Sequence, residues 1–147
     1  MKQRKVLIKG AGDLATGIAC RLHNSGFQVV MTELAVPTTV RRTVAFSRAV
    51  YEGWAEVENI TGVLCKSEAD LLAAVDQDRI AVLVDERCRI RESWKPDVLV
   101  DAVIAKKNTG TRLEDAPTVI GVGPGFTAGV DCHCVVETKR GHDLGRC

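Results

Sequence analysis

Neither sign of charge dominates this sequence. Its 20 lysines and arginines nearly balance its 19 aspartates and glutamates, which leaves a formal net charge of +1 at pH 7. A protein that binds nucleic acid or an anionic membrane through its charge usually carries a clear excess of basic residues. We therefore expect no nucleic-acid partner and no membrane partner.

Long apolar runs are also missing. No span approaches the roughly 18 apolar residues that a transmembrane helix requires, and Lys9 and Asp13 interrupt the apolar residues near the start, which argues against a signal peptide. The six cysteines are scattered through a sequence with enough apolar residues for a full core, unlike those of a small secreted domain that depends on disulfides. We expect a cytoplasmic protein with reduced thiols.

Internal repeats, low-complexity tracts and Gly/Ser linkers are absent as well, so nothing divides the first part of the chain. The 147 residues have the size of one ordinary domain. Beyond Gly125 the sequence becomes glycine-rich and polar. We predict a Rossmann-like nucleotide-binding domain over residues 1–125 and the start of a C-terminal segment over residues 126–147.

What the chain does contain is an alternation of strand-like and helix-like patterns. The predicted strands cover residues 5–9, 27–33, 62–65, 80–84, 98–104 and 118–122. Helical patterns follow Gly12 up to Gly26, run from Pro37 to about Tyr51, and continue over residues 68–75 after a capping Ser67. Nearly continuous apolar strands are typical of a parallel sheet covered on both faces. The predicted fold class is α/β, a doubly wound, mostly parallel Rossmann-like sheet with helices on both faces.

A glycine-rich turn joins the first predicted strand to the first predicted helix. It matches the pattern G-x-G-x-x-G/A in Gly10, Ala11, Gly12, Asp13, Leu14 and Ala15. Gly10 permits a sharp turn, Gly12 lets the backbone approach a pyrophosphate, and Ala15 lets the helix pack closely on the sheet. Free N–H groups of the first helical turn then face phosphate oxygens. We predict that these six residues bind NAD(P) or another nucleotide; the alternative is a turn that serves packing alone.

Glu33 lies at the end of the second strand, about 20 residues beyond the glycines. A carboxylate at this place accepts hydrogen bonds from a ribose 2′-hydroxyl, which favours an unphosphorylated ribose. Two features argue the other way: Arg41 brings positive charge near the adenosine end, and Asp13 brings negative charge into the turn. The alternative for Asp13 is that it caps its helix. Both side chains belong to the predicted site, and the identity of the nucleotide stays open.

Further polar residues follow the later strands and are expected at the same rim of the sheet. Asp101, Lys106 and Asn108 are candidate catalytic residues there. Gly123, in a Gly-Pro-Gly turn, is a candidate for binding the cofactor through backbone N–H groups. The alternative is a pair of solvated turns.

The segment from Asp131 to Glu137 is the last polar cluster. On a strand it would place His133 on one face and Cys132 with Cys134 on the other. His133 is a further candidate general acid or base. Cys132, His133 and Cys134 are candidate metal ligands, but no second ligand pair accompanies them, and we predict no metal site.

Four segments in the same order resemble the YqeB-like family: IKGAGDLATGIA (8–19), RRTVAFSRAVY (41–51), VDAVIAKKNTGT (100–111) and IGVGPGFTAGVDCHCVVETKRGHDLGR (120–146). Its members are named as proteins of the selenium-dependent molybdenum hydroxylase system and are related to the Rossmann domain of XdhC-type maturation factors. The resemblance implies an accessory role in maturing molybdenum enzymes or their cofactor, with a molybdenum hydroxylase or its maturation proteins as partners. It implies no established reaction. Because family members are longer, the chain looks like the N-terminal part of a larger product.

The predicted function is therefore that of a nucleotide-binding accessory protein, which we expect to form a homodimer. One alternative is an NAD-dependent oxidoreductase that uses Lys106 or His133 for proton transfer. Another is a non-catalytic sensor in which nucleotide occupancy shifts the packing of a dimer. A scaffold with an empty glycine turn is a third.

Overall fold

A computed structural model describes residues 3–34, 45–104 and 108–137. Within these ranges eight strands form one sheet: β1 (Lys5–Lys9), β2 (Gln28–Glu33), β3 (Trp54–Val57), β4 (Ile60–Cys65), β5 (Ile80–Val84), β6 (Val98–Asp101), β7 (Thr118–Val122) and β8 (Cys134–Val136). Their spatial order is β3-β4-β5-β2-β1-β6-β7-β8. The β3–β4 pair is antiparallel, and every other neighbouring pair is parallel. A mostly parallel α/β sheet, as predicted, is confirmed.

Helices cover the sheet from two sides. The helices are α1 (Asp13–Asn24), α2 (Arg48–Glu52), α3 (Glu68–Asp76) and α4 (Ile90–Trp94), and Leu113–Asp115 form a 3₁₀ turn. Successive strand side chains point to opposite faces. Val6 and Ile8 of β1 accordingly pack in one apolar cluster with α1 and α2, while Leu7 packs in a second cluster with α3 and α4.

The described part of the chain between β2 and β4 differs from its prediction. A single helix was predicted from Pro37 to Tyr51, but helix α2 begins only at Arg48, and residues 35–44 lie outside the described residues. The hairpin of β3 and β4 was not predicted as such. Its turn is formed by Glu58 and Asn59, both with positive φ (50° and 68°). Tight hairpin turns with two positive φ angles usually contain Asn-Gly or Asp-Gly, so the sequence signal was weak.

Two further elements differ from prediction. Strand β6 ends at Asp101 rather than at residue 104, because Asp101 Oδ1 accepts a hydrogen bond from the Val103 N–H at 3.2 Å and Ile104 takes a positive φ of 60°. Helix α4 was not predicted, since its five residues are too few for a periodic pattern. Helix α3 was predicted correctly, and the Ser67 hydroxyl accepts a hydrogen bond from the Asp70 N–H.

The chain beyond residue 125 returns to the same sheet. Strand β8 pairs with β7 in parallel, and Phe126 packs against the cluster that contains α3 and α4. A domain boundary after residue 125 stays a prediction. In the three described ranges, no helix has the length and apolar character needed to cross a membrane.

Two glycines give opposite predictions for stability. A Cβ at Gly62 in β4 would lie 2.6 Å from Cδ1 of the fully buried Phe46 ring, so Gly62→Ala should lower the free energy of unfolding by about 1–3 kcal/mol. A Cβ at Gly17 in α1 would meet nothing within 4 Å, so Gly17→Ala should raise it by about 0.5–1 kcal/mol. Urea denaturation measures both. Equal stability of the two variants would contradict the packing of Phe46 on β4.

Candidate functional site

A cleft of about 960 Å³ opens at the carboxyl ends of four adjacent strands, β5, β2, β1 and β6. It is lined by Lys9, Gly10, Gly12, Asp13, Leu14, Ala15, Thr32, Glu33, Leu34, Asp85, Glu86, Arg87, Ala102, Val103, Ile104 and Thr109. With neighbouring strands about 4.8 Å apart, the four strand ends span about 14 Å. The carboxyl ends of parallel strands are where ligands bind in open α/β sheets.

Gly10 forms the turn after β1 and cannot be replaced without strain. Its φ is +101°, and a Cβ would lie 3.0 Å from the carbonyl oxygen of Ala102, which follows β6. Its N–H donates to the carbonyl oxygen of Thr32 in β2 at 2.8 Å. The turn therefore lies between the ends of β2 and β6. Only glycine tolerates both the positive φ and the close approach of the Ala102 carbonyl oxygen.

The first turn of α1 faces the cleft with part of its backbone N–H groups unused. The Leu14 N–H donates to Oδ1 of Asp13 at 3.0 Å, and the Thr16 N–H donates to the Gly12 carbonyl oxygen at 2.9 Å. Within the described residues, the N–H groups of Gly12 and Ala15 have no acceptor. Such groups at a helix N-terminus attract an anion.

Glu33 lies at the cleft and is also bound to the glycine turn. Its Oε2 accepts a hydrogen bond from the Ala11 N–H at 2.9 Å, and its Oε1 accepts one from the Leu34 N–H at 2.8 Å. Ala11 is fully buried and contributes to the site through this bond. An ionised carboxylate accepts about four hydrogen bonds, and within the described ranges each oxygen of Glu33 accepts only one.

A second set of hydrogen bonds holds the glycine turn from the opposite side. The Ala11 carbonyl oxygen accepts from the Ser47 N–H at 2.8 Å and from the Thr16 hydroxyl at 3.3 Å. The Thr16 hydroxyl in turn accepts from the Phe46 N–H at 2.9 Å. Hydrogen bonds from the protein therefore fix both the N–H group and the carbonyl oxygen of Ala11 in this turn.

Below the glycine turn lies a buried network of three polar side chains, Lys9, Thr111 and Asp101. Lys9 Nζ donates to the Thr111 hydroxyl at 2.8 Å, and that hydroxyl donates to Oδ2 of Asp101 at 2.7 Å. Lys9 Nζ is 3.9 Å from the same carboxylate oxygen. Asp101, a candidate catalytic residue from the sequence, therefore does not line the cleft itself but lies next to Lys9, which does. The sequence analysis missed Lys9, although its place directly before the glycine turn was a usable signal.

Burial keeps the neighbouring cysteine in its thiol form. Cys88, which follows β5, is 1% exposed. Burial raises the pKa of its thiol to about 11, against the opposing effects of the Lys9 charge and a hydrogen bond with Thr32. Since a thiolate is the reactive form of cysteine, Cys88 is not a nucleophile near neutral pH.

Asn108 organises the loop beyond β6 rather than lining the cleft. Its Oδ1 accepts from the N–H groups of Gly110 and Thr111, and its Nδ2 donates to Oδ2 of Asp131 at 3.0 Å. A hydrogen bond from the Thr127 N–H and then the one from Asn108 hold the pKa of Asp131 below its usual range. Asn108 thereby ties this loop to the turn before β8.

The remaining candidates from the end of the chain lie away from the cleft. His133 Nδ1 accepts a hydrogen bond from the Val119 N–H at 2.9 Å, so only Nε2 is available for proton transfer. Gly123 is buried and its N–H donates to the Val136 carbonyl oxygen at 2.9 Å. Cys132 and Cys134 were expected on one face of a strand. They differ in exposure instead, with Cys132 buried and Cys134 exposed, because the strand begins only at Cys134.

Two predicted site residues, Arg41 and Lys106, lie outside the described residues. Six others line the cleft together: Gly10, Gly12, Asp13, Leu14, Ala15 and Glu33. Among the described side chains, no group of three or more His, Cys, Asp or Glu residues is arranged to hold a metal ion.

Comparison with known proteins gives one informative similarity. Over 141 residues, which are 96% of this chain, the sequence is 49% identical to a protein of Escherichia coli (strain K12) named "Uncharacterized protein YqeB". That similarity supports a YqeB-like family. The aligned part is 26% of the relative, so the chain spans about a quarter of the length of this relative. No protein-family model and no solved structure matches the chain.

The buried network gives a prediction that tests its geometry. Thr111→Val keeps the side-chain shape but removes the hydroxyl that joins Lys9 to Asp101, which should lower the free energy of unfolding by about 1–3 kcal/mol. Thr118→Val, at the exposed start of β7, is the matched control and should change it by less than about 0.5 kcal/mol. Denaturant titration compares the two. A Thr111→Val variant as stable as its control would contradict the network.

Proposed function

We propose that the cleft binds NAD or a closely related nucleotide, and that the chain serves as an accessory protein of the selenium-dependent molybdenum hydroxylase system. The observation that carries the binding proposal is the meeting of three features in one cleft. These are the turn at Gly10, the unused N–H groups of Gly12 and Ala15, and the carboxylate of Glu33. This is the combination that a dinucleotide requires.

The sheet topology adds support for a doubly wound Rossmann-like arrangement. From β1 the chain proceeds to β2, β3, β4 and β5 on one side, and then crosses to β6, β7 and β8 on the other. The cleft spans the position between β1 and β6 where this direction reverses. In doubly wound folds, ligands bind at such a switch point.

Glu33 favours NAD over NADP in this proposal. Its carboxylate lies at the end of β2, where the adenosine ribose of a dinucleotide is expected. The free lone pairs of Glu33 accept hydrogen bonds from ribose hydroxyls, whereas a 2′-phosphate would add a second negative charge at the same place.

The accessory role rests on the resemblance of four segments to the YqeB-like family and on the 49% identity with the E. coli protein. That protein is about four times as long as the aligned segment, which covers 26% of it. We propose that this chain supplies the nucleotide-binding part of such a system, with a molybdenum hydroxylase or its maturation proteins as partners.

Calorimetric titration with NAD⁺, NADP⁺ and ATP tests the proposal directly. We expect NAD⁺ to bind more tightly than NADP⁺. Incubation of the complex with candidate reductants and oxidants then distinguishes an oxidoreductase, which would turn the cofactor over, from an accessory protein, which would not. Lack of binding by all three nucleotides would overturn the binding proposal.

Gly12→Val should abolish nucleotide binding without unfolding the protein. The backbone of Gly12 has φ −69° and ψ −173°, a conformation that valine also adopts, but its side chain would fill the space where a pyrophosphate approaches the α1 N-terminus. Calorimetry measures the affinity, and circular dichroism checks the fold. Gly17→Ala, on the exposed face of the same helix, is the control. Unchanged affinity for NAD⁺ would remove the phosphate from this turn.

Replacing Glu33 should weaken a ribose-bearing ligand by about 1–3 kcal/mol, the range for hydrogen bonds to charged groups. Glu33→Ala removes all acceptors, whereas Glu33→Gln retains one oxygen that can still bind the Ala11 N–H. Both variants should lose affinity for NAD⁺. Glu56→Gln in β3, an exposed residue outside the cleft, controls for the change in net charge. Wild-type affinity in both Glu33 variants would exclude Glu33 from ribose binding.

A further inference from the structure

Lys9 lines the cleft and is nevertheless almost completely buried. Its residue exposure is 9%, whereas lysine is rarely buried unless its charge is paired. It is the last residue of β1 and pairs in register with Thr32 on one side and with Asp101 on the other. Residue Lys9 therefore lies between the ends of β2 and β6, and its ammonium group contacts Thr111 and lies near Asp101 at the end of β6.

The hydrogen bonds of Lys9 are incomplete in the described part of the chain. An ammonium group has three donors, and Thr111 accepts one of them at 2.8 Å. Asp101 Oδ2, at 3.9 Å, is beyond hydrogen-bonding distance. Two donors thus have no acceptor among the described residues, and a buried cation with unused donors is costly unless a ligand completes them.

Thr111 and Asp101 fix the position of this cation. The Thr111 hydroxyl accepts from Lys9 and donates to Asp101, and Asp101 also accepts the Val103 N–H at 3.2 Å. Every member of the network is at most 9% exposed, apart from Val103. A donor held in place in this way loses less conformational entropy on binding a ligand than a free lysine side chain would.

Lys5, on the same strand, provides a contrast. Its Nζ donates to the Trp94 carbonyl oxygen at 3.0 Å and lies 5.4 Å from the centroid of the Trp94 ring. Lys5 therefore makes structural contacts at the opposite end of β1. Of these two lysines in β1, only Lys9 lines the cleft.

We propose that Lys9 is a ligand-binding residue that donates hydrogen bonds to an oxygen of the nucleotide beyond its first phosphate. This inference rests on the proposed nucleotide binding. A ligand whose adenosine ribose contacts Glu33 at the end of β2 must pass over the end of β1 to reach β6, about two strand spacings or 10 Å away. Lys9 lies under that path. The oxygen belongs to the second phosphate or to the second ribose of a dinucleotide.

The test compares Lys9→Met with Lys5→Met by calorimetry, using NAD⁺, ADP-ribose and AMP as probes. Methionine preserves most of the buried aliphatic stem and removes the donors. Lys9→Met should weaken NAD⁺ and ADP-ribose by about tenfold to a hundredfold and leave AMP unchanged, because AMP ends at its single phosphate. Lys5→Met should bind all three probes like the wild type.

The outcomes separate this inference from the proposed function. Wild-type protein that binds none of the probes overturns both. Wild-type binding of NAD⁺ with unchanged affinity in Lys9→Met overturns only the role of Lys9. A loss of equal size for AMP also overturns it, because the partner of Lys9 would then belong to the first half of the ligand.

A second measurement on the wild-type protein covers the case in which Lys9→Met does not fold. Pulsed reductive methylation followed by mass spectrometry reports how accessible each lysine is. Saturating NAD⁺ should protect Lys9 from methylation and leave the labelling of Lys5 unchanged. Equal labelling of Lys9 with and without NAD⁺ would overturn the proposal.

Discussion

The turn at Gly10 is the constraint on which the geometry of the cleft depends. Its backbone has φ +101° and lies between the Thr32 carbonyl oxygen, to which its N–H donates, and the Ala102 carbonyl oxygen, which leaves no room for a Cβ. Because the chain turns so sharply here, α1 begins at Asp13, directly above the end of β1. The start of that helix, Glu33 of β2 and Lys9 of β1 then face one space.

Protein contacts hold this turn in its shape before any ligand arrives. The peptide N–H of Ala11 donates to Glu33, and its carbonyl oxygen accepts from Ser47 and the Thr16 hydroxyl. Glu33 is thus both a support for the turn and a wall of the cleft. A site that is already ordered loses less conformational entropy on binding, and its donors stay directed at the same point in the absence of ligand.

The sequence predicted the elements that rest on local chemistry. The turn from Gly10 to Ala15, the cap at Ser67 and the apolar strands depend on neighbouring residues, and the structure contains all of them. It did not predict contacts between distant residues, such as the link from Lys9 to Thr111, 102 positions apart. A hairpin turn built from Glu58 and Asn59 also escaped prediction, because it lacks the Asn-Gly or Asp-Gly pair that marks such turns in a sequence. Two candidates chosen only for their residue type do not line the cleft. His133 accepts a hydrogen bond from the backbone of β7, and Asn108 accepts one within its own loop.

The charges of the cleft complete the physical picture. Among the described residues, four carboxylates and two cations line it: Asp13, Glu33, Asp85, Glu86, Lys9 and Arg87. This acidic excess is unfavourable for phosphate, but three of the carboxylates are already hydrogen-bonded to backbone N–H groups. Asp13 accepts from the Leu14 N–H. Asp85 accepts from the N–H groups of Arg89 and Ile90 at the start of α4, and Glu33 accepts from Ala11 and Leu34.

Asp13 and Glu86 are exposed, so water and salt screen their charges. The repulsion that an anion meets is therefore smaller than the number of acids implies. The cleft instead combines two kinds of group, unused N–H groups with Lys9 and carboxylates that already accept hydrogen bonds. A ligand that carries phosphates and sugar hydroxyls side by side matches both, whereas a free inorganic anion would use only the first.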